Sequence, residues 1–493
     1  MAGLHETALI AMLRVVKMIS RARIIPLIVA SALFMENMDG TVIATSLPAI
    51  AAELHTDPIV LKLAFTTYLL ALTVFIPISG WCADRFGAKH VFRAAIAVFM
   101  LGSIACGSSQ SLGWLVASRA LQGIGGAMMV PVGRIIILRE IPKSELVNAL
   151  AWLTIPALIG PLVGPPIGGF ITTYFDWRWV FWMNIPIGIL GLVVATRFMP
   201  DMAPEVAPPL DVKGFLLSAV GLSSIVFGFT VLGREFLPTY AVFAMICFGI
   251  VCVTIYVRHA FSIESPILDL RLMRIPTFNA GVAGGSLYRI GVGAIPFLMP
   301  LMFQLGFGLT AFQSGMLSCS AALGAMSMKF STSYLLSRFG FRKLLIVNGV
   351  VSCGFIACYG LLTAATPFVL ISLLLLLGGF LRSLQFTALN ALSYADIDRR
   401  GASNATSLYS VAQQLSLSAG VAVAAFILEA VQWQRGENTL VTGDFSIAFF
   451  VVAALAALSS LQFLNLRADA GSSVLADRSP RAHADVTENR NEI

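Results

Sequence analysis

Fourteen apolar runs follow one another between residues 24 and 466. Each is long enough to cross a hydrocarbon layer roughly 30 Å thick as a helix of about 20 residues. They cover approximately 24–51, 58–82, 90–108, 112–135, 145–173, 179–198, 212–232, 237–258, 278–304, 311–335, 342–363, 367–391, 402–430 and 445–466. A water-soluble core cannot bury so many in succession, and in lipid each segment must satisfy its own backbone hydrogen bonds. The expected class is therefore an all-α integral membrane protein. Composition agrees: 58% of the 493 residues are hydrophobic and 12% are charged, where about 25% charged is ordinary for a soluble domain.

The basic residues orient the spans. Arg85, Lys89 and Arg93, then Arg139 and Lys143, then Arg258, Arg271 and Arg274, then Arg338, Arg342 and Lys343, then Arg399 and Arg400 fall in alternate connections. By the positive-inside rule those loops and both termini face the cytoplasm, across a bacterial-type inner membrane. Trp114, Trp177, Trp179, Trp182 and Trp433 fall at the opposite ends, where indole rings favour the headgroup boundary. The first run follows Arg14, Lys17, Arg21 and Arg23 without a cleavage pattern, so it reads as a retained span. Because the basic residues are spread over loops and form no patch, the net charge of +7 does not point to nucleic acid. The seven cysteines show no metal spacing, the five histidines are scattered, and no phosphate loop is present. Neither an enzyme nor a cofactor or metal is expected.

Charges inside the runs need a reason, since an ionisable group at depth costs several kcal/mol, roughly, unless paired or hydrated. The stretch "FMENMDG" puts Glu36 and Asp39 in the first run, with Asp39 about 22 Å from its start. Three residues apart, they share a helix face, which should be a cavity face, and would titrate as a coupled pair. Arg119 lies about 11 Å into the fourth run, at a depth where it can pair with Asp39. Arg289, Arg382 and Lys329 stand within second-half runs that show no mid-membrane acid. Lys329 can snorkel to the boundary, whereas Arg289 and Arg382 would hold an anionic substrate group or bond backbone carbonyls. Phe297, with Phe303, Met299, Met302 and Gln304, is a candidate lining residue, although such stripes more often pack.

The chain repeats itself. "DRFGAKHVF" after the second run matches "SRFGFRKLL" after the tenth, and Arg119 with Gln122 in "SRALQG" matches Arg382 with Gln385 in "LRSLQF". Two homologous six-helix halves around a central site follow from such pairing. The expected organisation is a cytoplasmic segment 1–23, a six-helix bundle 24–198, linkers and two extra helices 199–277, a second bundle 278–466 and a disordered tail 467–493. Gly160, Gly164 and Gly168, four apart in "GPLVGPPIGGF" with Gly169, let a neighbouring backbone approach closely, and Pro161 and Pro165 would kink that helix.

"GWCADRFGAKHVF", with Gly80, Asp84, Arg85, Gly87 and Lys89, resembles the loop between the second and third helices of the major facilitator superfamily. "LVASRALQGIGGAMMVPVGR", with Arg119, Gln122, Gly123 and Gly126, resembles its fourth-helix motif. "GPLVGPPIGGF" resembles its antiporter-specific fifth-helix motif, and "MDGTVIATSLPAI" and "WRWVFWMNIPIG" resemble the first- and sixth-helix motifs of its fourteen-helix drug:proton antiporter branch. The resemblance implies two bundles that rock about a central site, a gating loop around Asp84, a seam between the halves along the Gly160–Gly169 motif, and Asp39 as the expected acid; the buried-charge reading adds Glu36 and Arg119 as proton-coupling residues. It departs from the pattern at Ser337, where the second loop lacks an acid, and at Glu36, an extra carboxylate.

Together these readings predict a proton-coupled exporter of amphipathic small molecules working by alternating access, with protons and the lipid bilayer as its other partners. Gln122, Arg289, Arg382, Gln385 and Phe297 are the candidate cavity residues. The first-half acids suit lipophilic cations, whereas Arg289 and Arg382 suit an anionic or zwitterionic metabolite. A non-transporting receptor on the same fold is the remaining alternative, and a periplasmic adaptor is a candidate partner that leaves no mark in the sequence.

Overall fold

The structure is a computed structural model in which residues 21–141, 146–201, 209–232, 238–398, 401–437, 439–467 and 469–471 are described. Most of the N-terminal segment, Lys143, the core of the Pro-rich linker, Arg399 with Arg400, and the tail beyond 471 lie outside the described residues. Every expected run carries a helix. We label them α1 (Arg21–Glu53), α2 (Lys62–Phe86), α3 (Ala88–Gly107), α4 (Leu112–Glu140), α5 (Leu146–Tyr174), α6 (Trp179–Phe198), α7 (Val212–Val231) and α8 (Thr239–Ser262). Then come α9 (Pro276–Gly306), α10 and α11 as the two arms of Ala311–Tyr359, α12 (Phe368–Tyr394), α13 (Ala402–Arg435) and α14 (Thr442–Leu464). Among the described residues there is no strand. Twelve segments have both the length and the apolarity of a membrane span. The other two of the fourteen expected runs are occupied by α5, 29 residues long, and by α10.

Two glycines show the internal repeat in backbone form. Gly87 (φ 83°) turns α2 into α3, and Gly340 (φ 69°) turns α10 into α11. Side chains rarely adopt positive φ, so the "RFG" triplet supplies the same sharp reversal in both copies.

Helices α1 to α6 pack chiefly among themselves, α1 on α5 and α4 on α2 and α3, while α10 and α11 pack on α12, and α9 on α13 and α14. The largest contacts between these groups are α5 with α10 and α2 with α13, and α1 adds smaller ones to α9 and to the α10–α11 helix. Helices α7 and α8 form a separate pair leaning on α2 and α13. The polar contacts that bridge the two groups lie at the end away from the basic loops. Lys62 Nζ meets Glu429 Oε1 at 2.6 Å, Gln304 Nε2 donates to the Thr45 carbonyl at 3.0 Å, and the Phe312 amide donates to Thr173 Oγ1 at 3.0 Å. That end is closed.

The glycine motif on α5 corrects one expectation. Methyl groups built on Gly160, Gly164 and Gly168 would meet Phe34 O, Thr41 Oγ1 and Val42 O, all on α1. Three of the four glycines therefore seat α5 inside its own bundle. Only Gly169, against Ala311 O, faces the other one, together with the Pro165 carbonyl against Gly315. Small residues announce a close backbone, not its owner. Despite Pro161 and Pro165, α5 runs as one helix. Trp177, expected at the headgroup boundary, is 3% exposed and donates its Nε1–H to Glu53 at 2.6 Å.

Candidate functional site

The buried charges of the first bundle converge. Asp39, on α1, is 2% exposed and accepts from three donors. Arg119 Nη1 reaches Oδ2 at 2.5 Å, while Gln122 Nε2 and Asn184 Nδ2 reach Oδ1 at 2.8 and 2.9 Å. Helices α1, α4 and α6 thus meet on one carboxylate. Arg119 and Gln122, three apart on α4, share a face, and Arg119 Nη1 also donates to Gln122 Oε1 at 2.5 Å. Ser103 of α3 accepts from Gln122 at 2.8 Å. The Arg119 guanidinium lies 4.2 Å from the centre of the Tyr68 ring on α2, a cation–π contact that ties in a fifth helix. A carboxylate surrounded only by donors is suited to its ionised form, which can only accept.

Glu36 stands differently. It lies one turn nearer the basic-loop end of α1 and is half-buried, yet its Oε2 is enclosed without a hydrogen-bond partner. Tyr68 Oη and Arg119 Nη2 are likewise enclosed and unpartnered. Gly126 of α4 packs close beside them: a methyl there would lie 3.1 Å from Leu72 Cδ2, 3.2 Å from Tyr68 Oη and 3.8 Å from Glu36 Cγ. Polar atoms left unpaired in a packed interior are uncommon and call for an account. Here the Glu36 carboxylate and the Tyr68 hydroxyl flank Gly126, beside an ion pair whose aspartate is fully bonded and whose arginine keeps one free nitrogen.

The remaining sequence candidates separate. On the basic-loop face Asp84 Oδ1 accepts from Arg139 Nη2 at 2.8 Å, and Lys89 Nζ pairs with Asp201 at 2.8 Å, whereas Arg85 is exposed. Gly80 faces open space: a methyl there meets nothing within 4 Å. Gln385 is not a cavity residue. It is fully buried, donates to Leu345 O at 3.0 Å and accepts from Asn348 at 2.8 Å, and so fastens α12 to α11. Gln122 is likewise sealed and holds Asp39 rather than lining a cavity. Phe297 is fully buried in an apolar cluster that both bundles share, with Leu47 and Phe181 of the first and Phe303 and Phe449 of the second. Arg289, fully buried, donates to Tyr409 Oη at 2.5 Å and to the Gly281 carbonyl at 3.3 Å, where the backbone forms a π turn over Ala280–Gly284. Arg382 is half-buried, and Lys329 donates to Thr387 Oγ1 at 2.9 Å.

Sequence reasoning missed Asn184, Ser103, Tyr68, Lys62 and Glu429. Asn184 stood in the quoted "WRWVFWMNIPIG" as the one amide in an apolar run, and that isolation was its signal.

Two helical bundles with a buried ion pair between the helices of one, and a closed seam between them at one end, define a polytopic membrane carrier. The model of the Major Facilitator Superfamily matches residues 29–421, and the chain belongs to that superfamily. A protein of Pectobacterium carotovorum subsp. carotovorum named "Putative multidrug resistance protein MdtD" is 36% identical over 436 residues, 87% of this chain and 93% of that one. One of the same name from Escherichia coli O6:H1 is 34% identical over 462 residues, 92% and 97% of the two chains. Among solved structures, the POT family transporter PepTSo superposes with a TM-score of 0.68 at 15% identity, covering 93% of this chain and 99% of that one. A D-xylose–proton symporter superposes with a TM-score of 0.66 at 15% identity, covering 92% and 99%. At that identity the likeness is one of fold.

Proposed function

We propose that the chain is a proton-coupled antiporter that exports amphipathic small molecules across the inner membrane by alternating access, with its basic loops and both termini in the cytoplasm. The observation that carries this reading is the contrast between two acids one turn apart. Asp39 has all its partners, and Glu36 has an enclosed oxygen with none. Asp39 serves as the fixed anion that holds Arg119 and the helices α1, α4 and α6 in register. Glu36 is the exchanging group: protonated, it is neutral and can donate; ionised, it attracts a cationic substrate group. Proton and substrate then compete for one carboxylate and bias the same two-state equilibrium, which is what couples their fluxes. The printed name of the relatives, a multidrug resistance protein, supports export of such compounds.

The test is uptake of a lipophilic cation into inverted vesicles under an imposed pH gradient. Wild type should accumulate the cation, and Glu36→Gln should lose gradient-driven uptake at unchanged protein level. Gradient-driven uptake that survives Glu36→Gln rules out Glu36 as the carrier. A second reading, export of an anionic or zwitterionic metabolite, is favoured by Arg382, which has no hydrogen bond or ion pair among the described residues, and by Arg289, whose partners are a hydroxyl and a carbonyl. Wild-type vesicles that accumulate anions and exclude cations would select it.

A further inference from the structure

Lys62 and Glu429 lie apart from the cluster on Asp39 and join the two bundles. Lys62 opens α2, and Glu429 stands within the last two turns of α13, at the end away from the basic loops. Their 2.6 Å contact is shielded, with 1% of the lysine side chain and 14% of the glutamate exposed. Taking two charges out of water is costly, and their attraction offsets that cost only while they stay together. Removing one partner leaves an uncompensated buried charge, whereas replacing both by apolar groups is often nearly neutral. Such a pair therefore acts as a latch, firm when closed and requiring rehydration of both charges to part.

The surroundings hold the lysine in place from outside the seam. Val60 and Leu63, on either side of Lys62, are buried in one apolar cluster with Val231 of α7 and with Val242 and Ile246 of α8. Gln304 and Phe312 add hydrogen bonds from the second bundle to the first at the same end.

We propose that Lys62 and Glu429 are positioning residues for transport: a charge latch that keeps the end opposite the basic loops closed, with α7 and α8 bracing its lysine side. The latch concerns conformation, and only its consequence for turnover rests on the transport reading. It is tested in the full-length chain in liposomes, with the seven native cysteines replaced by serine and Gln304→Cys as a reporter for a membrane-impermeant maleimide. Glu429→Gln should raise the labelling rate severalfold. The pair Lys62→Met with Glu429→Leu should bring it back toward the parent rate, as an apolar seam carries no stranded charge. Unchanged labelling in Glu429→Gln overturns the latch. So does equally fast labelling in the double variant, which would mean that side-chain shape holds the seam and charge does not. A separate variant, Lys62→Cys with Glu429→Cys and no reporter cysteine, tests the same seam without depending on the charge variants folding. Bridging the two thiols with a reducible bis-methanethiosulfonate reagent should stop transport and reduction should restore it; turnover while crosslinked overturns the proposal. Labelling needs no substrate or proton gradient, so it stands or falls separately from proton exchange.

Discussion

Arg119 places Nη1 between Asp39 and Gln122, donates Nε–H to the Ala64 carbonyl at 3.4 Å, leaves Nη2 unpartnered, and lays its plane against Tyr68. An ammonium group supplies the charge but neither the planar fork nor the stacking face. Arg119→Lys should therefore fold, retain the pair with Asp39 and lose the bridge to Gln122, with transport reduced. Arg119→Met strands Asp39 in a sealed site and should cost about 3–5 kcal/mol, read as a loss of thermal stability in detergent. Equal stability of the two variants would show that the charge on Arg119 is unimportant to the fold. Asp39 and Arg119 were legible in the sequence because a charge inside an apolar run demands a partner; Gln122 stood out through the repeat, but as a cavity residue and not as a partner of Asp39. Asn184, Ser103 and Tyr68 were not, since a neutral polar side chain at depth is common and costs far less. Lys62 and Glu429 escaped for another reason: each sits near the end of its run, where a charge passes for a boundary marker.

The fifth helix shows what a motif can and cannot say at the level of elements. Glycines four apart in "GPLVGPPIGGF" declared one close-packed face, but the partner of that face depends on where α1 and α10 lie, which no local pattern encodes. Three glycines face α1 and one faces α10, and this difference yields a prediction. A methyl on Gly169 would stand 2.3 Å from the Ala311 carbonyl, a backbone atom that cannot turn aside. A methyl on Gly164 would stand 2.1 Å from Thr41 Oγ1, the end of a side chain that can rotate. Gly169→Ala should push α5 off α10 and favour opening of the closed end, seen as faster maleimide labelling of Gln304→Cys in the cysteine-free chain. Gly164→Ala should leave that rate near the parent value. The reverse order would mean that α5 moves with α10, and that the seam lies along α1. The helix runs and their repeat were legible because hydropathy and the two "RFG" turns are local properties.

For the molecule as a whole, the accessory pair matters because it touches both bundles at opposite ends. At the closed end Val231, Val242 and Ile246 pack with Val60 and Leu63 of α2. At the basic-loop end Tyr256 and Ala260 of α8 pack with Phe278 of α9 and with Ala405 and Tyr409 of α13. A pair anchored in this way resists relative motion of the bundles, and its stiffness depends on the link between α7 and α8. Asp211 makes that link. It caps α7 through the Gly214 amide at 2.8 Å, meets His259 Nε2 of α8 at 2.8 Å, and accepts from the Ile267 amide of the following linker at 3.4 Å. Burial opposes the charge on Asp211, but the His259 ring and the two amides outweigh it and hold the carboxyl below its ordinary value of 3.8. A carboxyl whose folded value lies below its unfolded one stabilises the fold fully above that unfolded value, and the contribution disappears as pH falls through the lowered one. Asp211→Ala should thus lower the unfolding midpoint at neutral pH by an amount equivalent to about 0.5–2 kcal/mol, the usual worth of a helix cap. The gap from wild type should narrow as pH drops below 3.8. A gap that stays constant with pH would mean that the side chain holds α7 and α8 together by shape, and that its charge plays no part in the brace.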